Sequence, residues 1–209
     1  MKLGDQKTLK ELIRSRRPCK LERVAFFGGA DVDSDHPVYH QAYEIAQVTA
    51  RRGKTVINGG GPGVMLAATL GAQSAGGRTI TVAFQLDKKD MPEFSEEADQ
   101  NHPDLKIIMP DLPTRQVGLI DLADLFVIFK GGTGTLSEWT WTWLLAHLRL
   151  GHHKPLILYG RFWHEVLQVI TRHFLLDQTE KSVYTIVSDP REFLDALDQA
   201  EQEIAGRCD

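Results

Sequence analysis

The chain is poor in cysteine. Its two, Cys19 and Cys208, stand near opposite ends with no CxxC spacing. That rules out a disulfide framework as the basis of the fold and points to a reduced, cytoplasmic setting. Long apolar runs are missing as well, and none approaches the roughly 20 residues that a membrane span requires. Residues 1–7 lack the apolar core of a secretory signal. Basic residues are not in excess: the formal net charge is −4, which argues against broad binding to nucleic acid or to an anionic membrane. The run Arg14-Ser15-Arg16-Arg17-Pro18-Cys19-Lys20 is short and reads as part of a solvated N-terminal arm.

Several well-known motifs are absent or imitated. No GxGxxG occurs, because neither Gly28-Gly29-Ala30-Asp31 nor Gly59-Gly60-Gly61-Pro62-Gly63 has the spacing, so NAD binding is disfavoured. Gly53-Lys54-Thr55 mimics the end of a P-loop, but Val48 stands where the first glycine belongs and a strand follows. His164-Glu165 starts like a zinc-protease helix, yet Gln168 takes the place of the second histidine. His36 and His40 read as a capping or surface pair, and His152-His153 as solvated loop residues, so no metal site is expected. No GxSxG elbow surrounds Ser137. Trp139 and Trp143 share a helix face that reads as core or subunit interface, while Trp141 points elsewhere.

What the chain does have is a regular alternation of short apolar runs and helical periods. Hydrophobic residues make up 42% of it, enough for a sizeable core. Strands are predicted at residues 23–27, 54–57, 79–84, 105–109, 125–129, 156–159 and 184–187. Helices are predicted at 36–52, 63–75, 113–123, 136–150, 162–174 and 190–205. Residues 85–104 read as a polar excursion or lid over the site. Strands apolar on both faces and separated by helices indicate an α/β fold, a doubly wound Rossmann-like parallel sheet with helices on both faces. No repeat or low-complexity linker divides it, so residues 1–209 read as one nucleotide-binding domain, with 1–21 as an N-terminal arm or helix.

Ligands of such sheets bind outside the carboxyl ends of the strands. Glycine clusters fall at those ends: Gly28-Gly29, Gly59-Gly60-Gly61 and Gly131-Gly132-Thr133-Gly134-Thr135. The topology predicts that they meet in one crevice. The last cluster joins a buried strand to a helix, an arrangement that suits an anion. Several backbone N–H groups crowd one point, and the helix dipole adds about half a positive charge. Glu138 lies one turn further on. An anion seat with a carboxylate beside it suggests chemistry on a phosphate-bearing substrate.

On these residues the sequence resembles the LOG family, the cytokinin riboside 5′-monophosphate phosphoribohydrolases long mislabelled as lysine decarboxylases. Gly59-Gly60-Gly61-Pro62-Gly63 with Met65 is similar to the family's GGGxxG. Gly131 to Thr135 with Glu138 is similar to its PGGxGTxxE, and Arg115 stands at the family's arginine spacing. The Phe26-Phe27-Gly28-Gly29 turn and Leu150-Gly151-His152-His153-Lys154-Pro155 fit as well, so the likeness runs from about Val24 to Asp198. Lys130 departs from the proline of the second motif, Ser137 from a frequent glutamate and Gln116 from a lysine.

The resemblance implies hydrolysis of a nucleoside 5′-monophosphate, AMP or a cytokinin nucleotide, to free base and ribose 5-phosphate, without a cofactor. It implies Glu138 and Arg115 as catalytic residues and the three glycine segments, with Met65, as nucleotide-binding ones. It also implies a homodimer in which a neighbouring subunit completes the pocket. Such chemistry fits the residues: a carboxylate near C1′ stabilises positive charge on the sugar and activates water. The same loops would also serve a nucleotide-binding protein without hydrolysis, as in related molybdenum-cofactor carriers, and Lys130 is the departure that invites this alternative. Lysine decarboxylation would need a Schiff-base lysine with pyridoxal phosphate, and no lysine stands in such a context.

Overall fold

The computed structural model describes residues 2–14, 19–84, 100–148 and 154–207. Its strands are β1 (Lys2–Gly4), β2 (Arg23–Phe27), β3 (Thr55–Asn58), β4 (Thr79–Phe84), β5 (Leu105–Met109), β6 (Leu125–Ile128), β7 (Leu156–Tyr159) and β8 (Tyr184–Val187). They form one 8-stranded sheet in the order β1-β5-β4-β3-β2-β6-β7-β8. Every pairing is parallel. The helices are α1 (Gln6–Arg14), α2 (Pro37–Arg51), α3 (Val64–Ser74), α4 (Leu112–Leu122), α5 (Thr133–Leu148), α6 (Phe162–His173), α7 (Gln178–Lys181) and α8 (Pro190–Ala205).

The central strands are apolar throughout because both of their faces are covered. In β2, Val24 and Phe26 enter one core with α2, α3 and α8, while Ala25 and Phe27 enter the other with α4, α5 and α6. The pairing Val24↔Leu125 through Phe27↔Ile128 places β6 in the same phase. Paired side chains therefore share a face, Ala25 and Phe27 with Phe126 and Ile128, and Phe27 stacks on Phe126 at 5.7 Å between ring centroids. The result is the doubly wound Rossmann-like sheet that the alternation predicts. From β2 the chain winds outward through β3, β4 and β5, then returns to β6 and winds the other way. The reversal opens a crevice between the carboxyl ends of β2 and β6.

Local signals fix the helix starts. Asp111 Oδ1 accepts from Thr114 N at 2.8 Å, with Pro113 in the first turn of α4. Those bonds hold the Asp111 carboxyl below the usual carboxylate range. At the other end of α4, the buried Lys154 donates from Nζ to the carbonyls of Ile120 at 2.5 Å and Asp121 at 3.2 Å. A cation on the last carbonyls of a helix complements its dipole. Lys154 thus anchors the helix that carries Arg115.

Three expectations are corrected. The N-terminal stretch, expected as an arm or helix, does hold the helix α1, but it is no solvated arm: β1 extends the sheet beside β5, and Leu9 of α1 is buried against the core. A strand as short as β1 cannot display a period of two, so it left no pattern to read. Helix α5 begins at Thr133, not 136, because tertiary docking overrides the poor helix propensity of Gly134. Cys19 is disulfide-bonded and not a free thiol, so the inference of a reduced setting loses its support. The other cysteine, Cys208, lies outside the described residues, as do residues 85–99 of the expected lid and Leu150 to His153. Among the described residues no helix is long and apolar enough to cross a membrane.

Candidate functional site

The crevice brings the three glycine clusters together through backbone contacts. Gly29 N donates to Lys130 O at 3.1 Å, and Val64 N donates to Gly29 O at 2.9 Å. Gly63 has φ +62°, and a Cβ there would lie 2.3 Å from Gly29 O. A Cβ on Gly131 would lie 2.7 Å from Gly29 N and 2.1 Å from Thr135 Oγ1. The loops after β2, β3 and β6 therefore pack backbone to backbone, a closeness that side chains would prevent.

Above this junction Gly131 to Gly134 are exposed, and a Cβ on Gly132 or Gly134 would meet nothing within 4 Å. The first N–H groups of α5, those of Gly132 to Thr135, face outward without intrahelical partners. Such a helix terminus offers hydrogen-bond donors and the positive end of the dipole, the arrangement that suits an anion. Lys130 is exposed beside it, with Nζ 6.0 Å from the centroid of the Phe162 ring. The residue that departs from the LOG motif is thus directed toward the start of α6.

Glu138 lies one turn into α5 and is buried, its side chain 12% exposed. Arg115, in the first half of α4, donates from Nη1 to Glu138 Oε1 at 3.3 Å and from Nε to Val82 O at 3.1 Å. Burial pushes the Glu138 carboxyl up from 4.5 to about 7, while the Arg115 guanidinium beside it pulls the other way. Desolvation wins, so this acid exchanges its proton near neutrality. Perturbed carboxyls of this kind concentrate at functional sites.

The first glycine motif makes room for that pair. A Cβ on Gly59 would lie 1.6 Å from Arg115 Nη2, so the guanidinium occupies the space a side chain would fill. Gly59→Ala is therefore expected to expel Arg115 from its seat and to raise the Glu138 titration midpoint, at a stability cost of about 1–3 kcal/mol. Carboxyl-carbon NMR of the variant checks this, and an unchanged midpoint would contradict the packing argument. Met65 supports the loop from below, where its Sδ accepts weakly from Gly61 N at 3.4 Å.

Other residues of interest fall elsewhere. His36 caps α2, with Nδ1 accepting from Val38 N at 3.1 Å. Lys54 of the false P-loop pairs with Glu201 and donates to Leu21 O, at the opposite end of the strands. Ser137 bonds to Gln116. Trp139 stacks on Trp143 at 5.1 Å, with both buried and Trp141 about half exposed. No group of three or more metal-ligating side chains occurs among the described residues. Two asparagines that the motif reading passed over also hold the crevice: Asn58 accepts from Gly60 N at 2.8 Å, and Asn101 donates to Gly61 O at 3.0 Å. Asn58 was findable as a polar residue ending an apolar strand. Asn101 gives no local signal.

A doubly wound parallel sheet with glycine clusters at its reversal point defines a Rossmann-like α/β protein. More narrowly, the chain belongs to the SLOG cluster4 family, whose sequence profile matches residues 22–190. It is 31% identical over 124 residues to the cytokinin riboside 5′-monophosphate phosphoribohydrolase of Mycobacterium tuberculosis, a match covering 59% of this chain and 63% of that protein. Its fold is similar to that of the molybdenum cofactor binding protein from Rippkaea orientalis, with a TM-score of 0.60, 22% identity, and coverage of 88% of this chain and 98% of that one. It is also similar to DNA processing protein A from Helicobacter pylori, a single-stranded DNA binder, with a TM-score of 0.57, 18% identity, and coverage of 94% and 85%.

Proposed function

We propose that the protein hydrolyses the N-glycosidic bond of a nucleoside 5′-monophosphate, releasing free base and ribose 5-phosphate. The observation that carries this reading is the buried Glu138, paired with Arg115 and one turn below the glycine-rich start of the same helix. From Thr135 to Glu138 the helix rises about 4.5 Å, a span suited to the reach from a 5′-phosphate to C1′ of the same ribose. The likeness to the mycobacterial phosphoribohydrolase supports it.

In this reading the phosphate takes charge-assisted hydrogen bonds from the N–H groups of Gly132 to Thr135, about 1.5–3 kcal/mol each, with the Thr135 hydroxyl assisting. That remote binding holds the sugar over Glu138. The C1′–N bond breaks with its electron pair leaving on the base. Water adds to C1′, and its proton passes to the Glu138 carboxylate, which also stabilises the positive charge on the sugar; that proton then passes, directly or through solvent, to the departing base, which leaves neutral and restores the carboxylate. Arg115 holds that carboxylate in place. Gly28, Gly29 and Gly59 to Gly61 form the walls and Met65 backs them. The direct test is a screen of nucleoside monophosphates, AMP and isopentenyl-adenosine monophosphate included, for base release.

The second reading is a carrier or sensor that binds a nucleotide-like ligand without cleaving it. The fold shared with a molybdenum cofactor binding protein and the lysine at position 130 favour it. Tight binding with no base released from any monophosphate would select it. Association with single-stranded DNA, the ligand of the Helicobacter pylori neighbour, is opposed by the net charge of −4.

Exposed apolar side chains on α4 and α5 support a homodimer. Leu112, Val117, Leu136, Trp141, Leu144 and Leu148 are each between 44% and 52% exposed on the two helices that carry Arg115 and Glu138. Exposed apolar side chains of this kind are what a dimer interface would cover. Light scattering should give twice the 23.5 kDa chain mass, and Leu144→Glu should return the protein to monomer. A wild-type protein that runs as a monomer would dismiss the dimer.

A further inference from the structure

The loop after β3 is held from both sides by asparagine. On one side Gly60 N donates to Asn58 Oδ1, and Asn58 Nδ2 donates to Thr69 Oγ1 at 2.9 Å, tying the loop to α3. On the other side Asn101, on the stretch leading into β5, donates from Nδ2 to Gly61 O at 3.0 Å. Asn101 is 2% exposed, and its Oδ1 has no hydrogen-bond partner. The bond to Gly61 is thus what orients this buried amide, at the cost of leaving its carbonyl unpaired.

The loop so held has little freedom. Gly60 has φ +79°, and a Cβ there would lie 3.3 Å from Thr81 Cβ. A Cβ on Gly61 would lie 2.5 Å from Met65 Cε, and one on Gly59 would lie 1.6 Å from Arg115 Nη2. Thr81, Met65 and Arg115 therefore enclose the three glycines. Any shift of the Gly61 peptide passes to Gly59 and changes the wall against which the guanidinium rests.

We propose that Asn101 is a positioning residue, which fixes the Gly59–Gly61 loop through the Gly61 carbonyl and so sets Arg115 against Glu138. The proposal rests on Arg115 and Glu138 being the reacting pair, and Asn101 itself touches neither. It makes the approach to β5 part of the site's support, although β5 lies on the outer side of β4.

The test is carboxyl-carbon NMR titration of Glu138 in the full-length chain without nucleotide, so the readout does not depend on turnover. Arg115 is the charged group acting on Glu138, and burial is the other influence. Asn101→Ala should raise the Glu138 midpoint by about one pH unit as Arg115 loosens. In an Arg115→Ala background it should move the midpoint no further, because two residues acting through one contact are not additive. Asn101→Leu, which keeps the branched shape and removes the donor, should give the same shift and covers the case of a poorly folded alanine variant. An unchanged midpoint in the Asn101 variants, or an equal further shift without Arg115, overturns the proposal. If wild-type protein releases no base yet Asn101→Ala shifts the midpoint, the proposed hydrolysis fails and the positioning role stands.

Discussion

Glu138→Gln should leave the protein folded and lower ribose 5-phosphate release from AMP by about 10²–10⁴-fold, the range for removing a positioned acid–base group. The glutamine keeps the shape and a hydrogen-bond acceptor for Arg115 but neither takes a proton nor carries charge. The wild-type pH profile should show the same group. Burial pushes its carboxyl up to about 7, and the proposed mechanism uses the carboxylate, so kcat/KM should rise through pH 7 and level above it. Glu138→Gln should lose that limb, and near-normal turnover in the variant would remove Glu138 from the mechanism.

The same shift predicts an opposite effect on stability. The folded-state value of about 7 lies above the ordinary 4.5, so between those values the folded state holds a proton that the unfolded chain gives up. Its contribution is fully present below pH 4.5 and is lost as pH rises through about 7. The gap corresponds to at most about 3 kcal/mol. Glu138→Gln, which never ionises, should therefore melt several degrees above wild type at pH 8, with the difference closing near pH 4.5. Gaining stability while losing turnover is expected where an active site holds an unfavourable charge.

Arg115→Ala carries the second large effect. The guanidinium spans two groups, Glu138 at 3.3 Å and the Val82 carbonyl at 3.1 Å, with Nη2 lodged beside Gly59. Without it nothing opposes the upward push of burial on Glu138. The carboxyl should then stay protonated above neutrality and turnover should fall by about 10² or more. Arg115→Lys should restore less than about a tenth of the activity, because a single ammonium cannot reproduce a planar fork aimed in two directions. Substantial rescue by lysine would show that charge alone is needed. Measured as the Glu138 midpoint and as kcat on the same samples, the two readouts separate electrostatic from steric loss.

Much of the fold is legible in the chain because both cores are built from strands such as Val24 to Phe27 and Leu125 to Ile128, apolar on each face. The glycine motifs are equally plain, since backbones cannot approach as closely as Gly29, Gly63 and Gly131 do with side chains in the way. Other parts are silent. Strand β1 has too few residues to show a period, and α7, with 4 residues, is no longer than one turn. Asn101 lies 40 positions from the carbonyl it holds, so no local pattern marks it. Lys154 looks like a loop lysine until the end of α4 is seen resting on its ammonium.

By itself the sequence determined the alternation of elements, the parallel sheet and the glycine-rich start of the helix that carries Glu138. Those follow from periodicity, glycine placement and helix-terminus electrostatics, all local along the chain. Only the tertiary structure decided that Arg115 rests in the space left by Gly59, that Glu138 is buried enough to titrate near 7, and that Lys130 turns toward Phe162. These are properties of distance and dielectric between segments far apart in the chain, and they exist only once the sheet has brought those segments to one crevice.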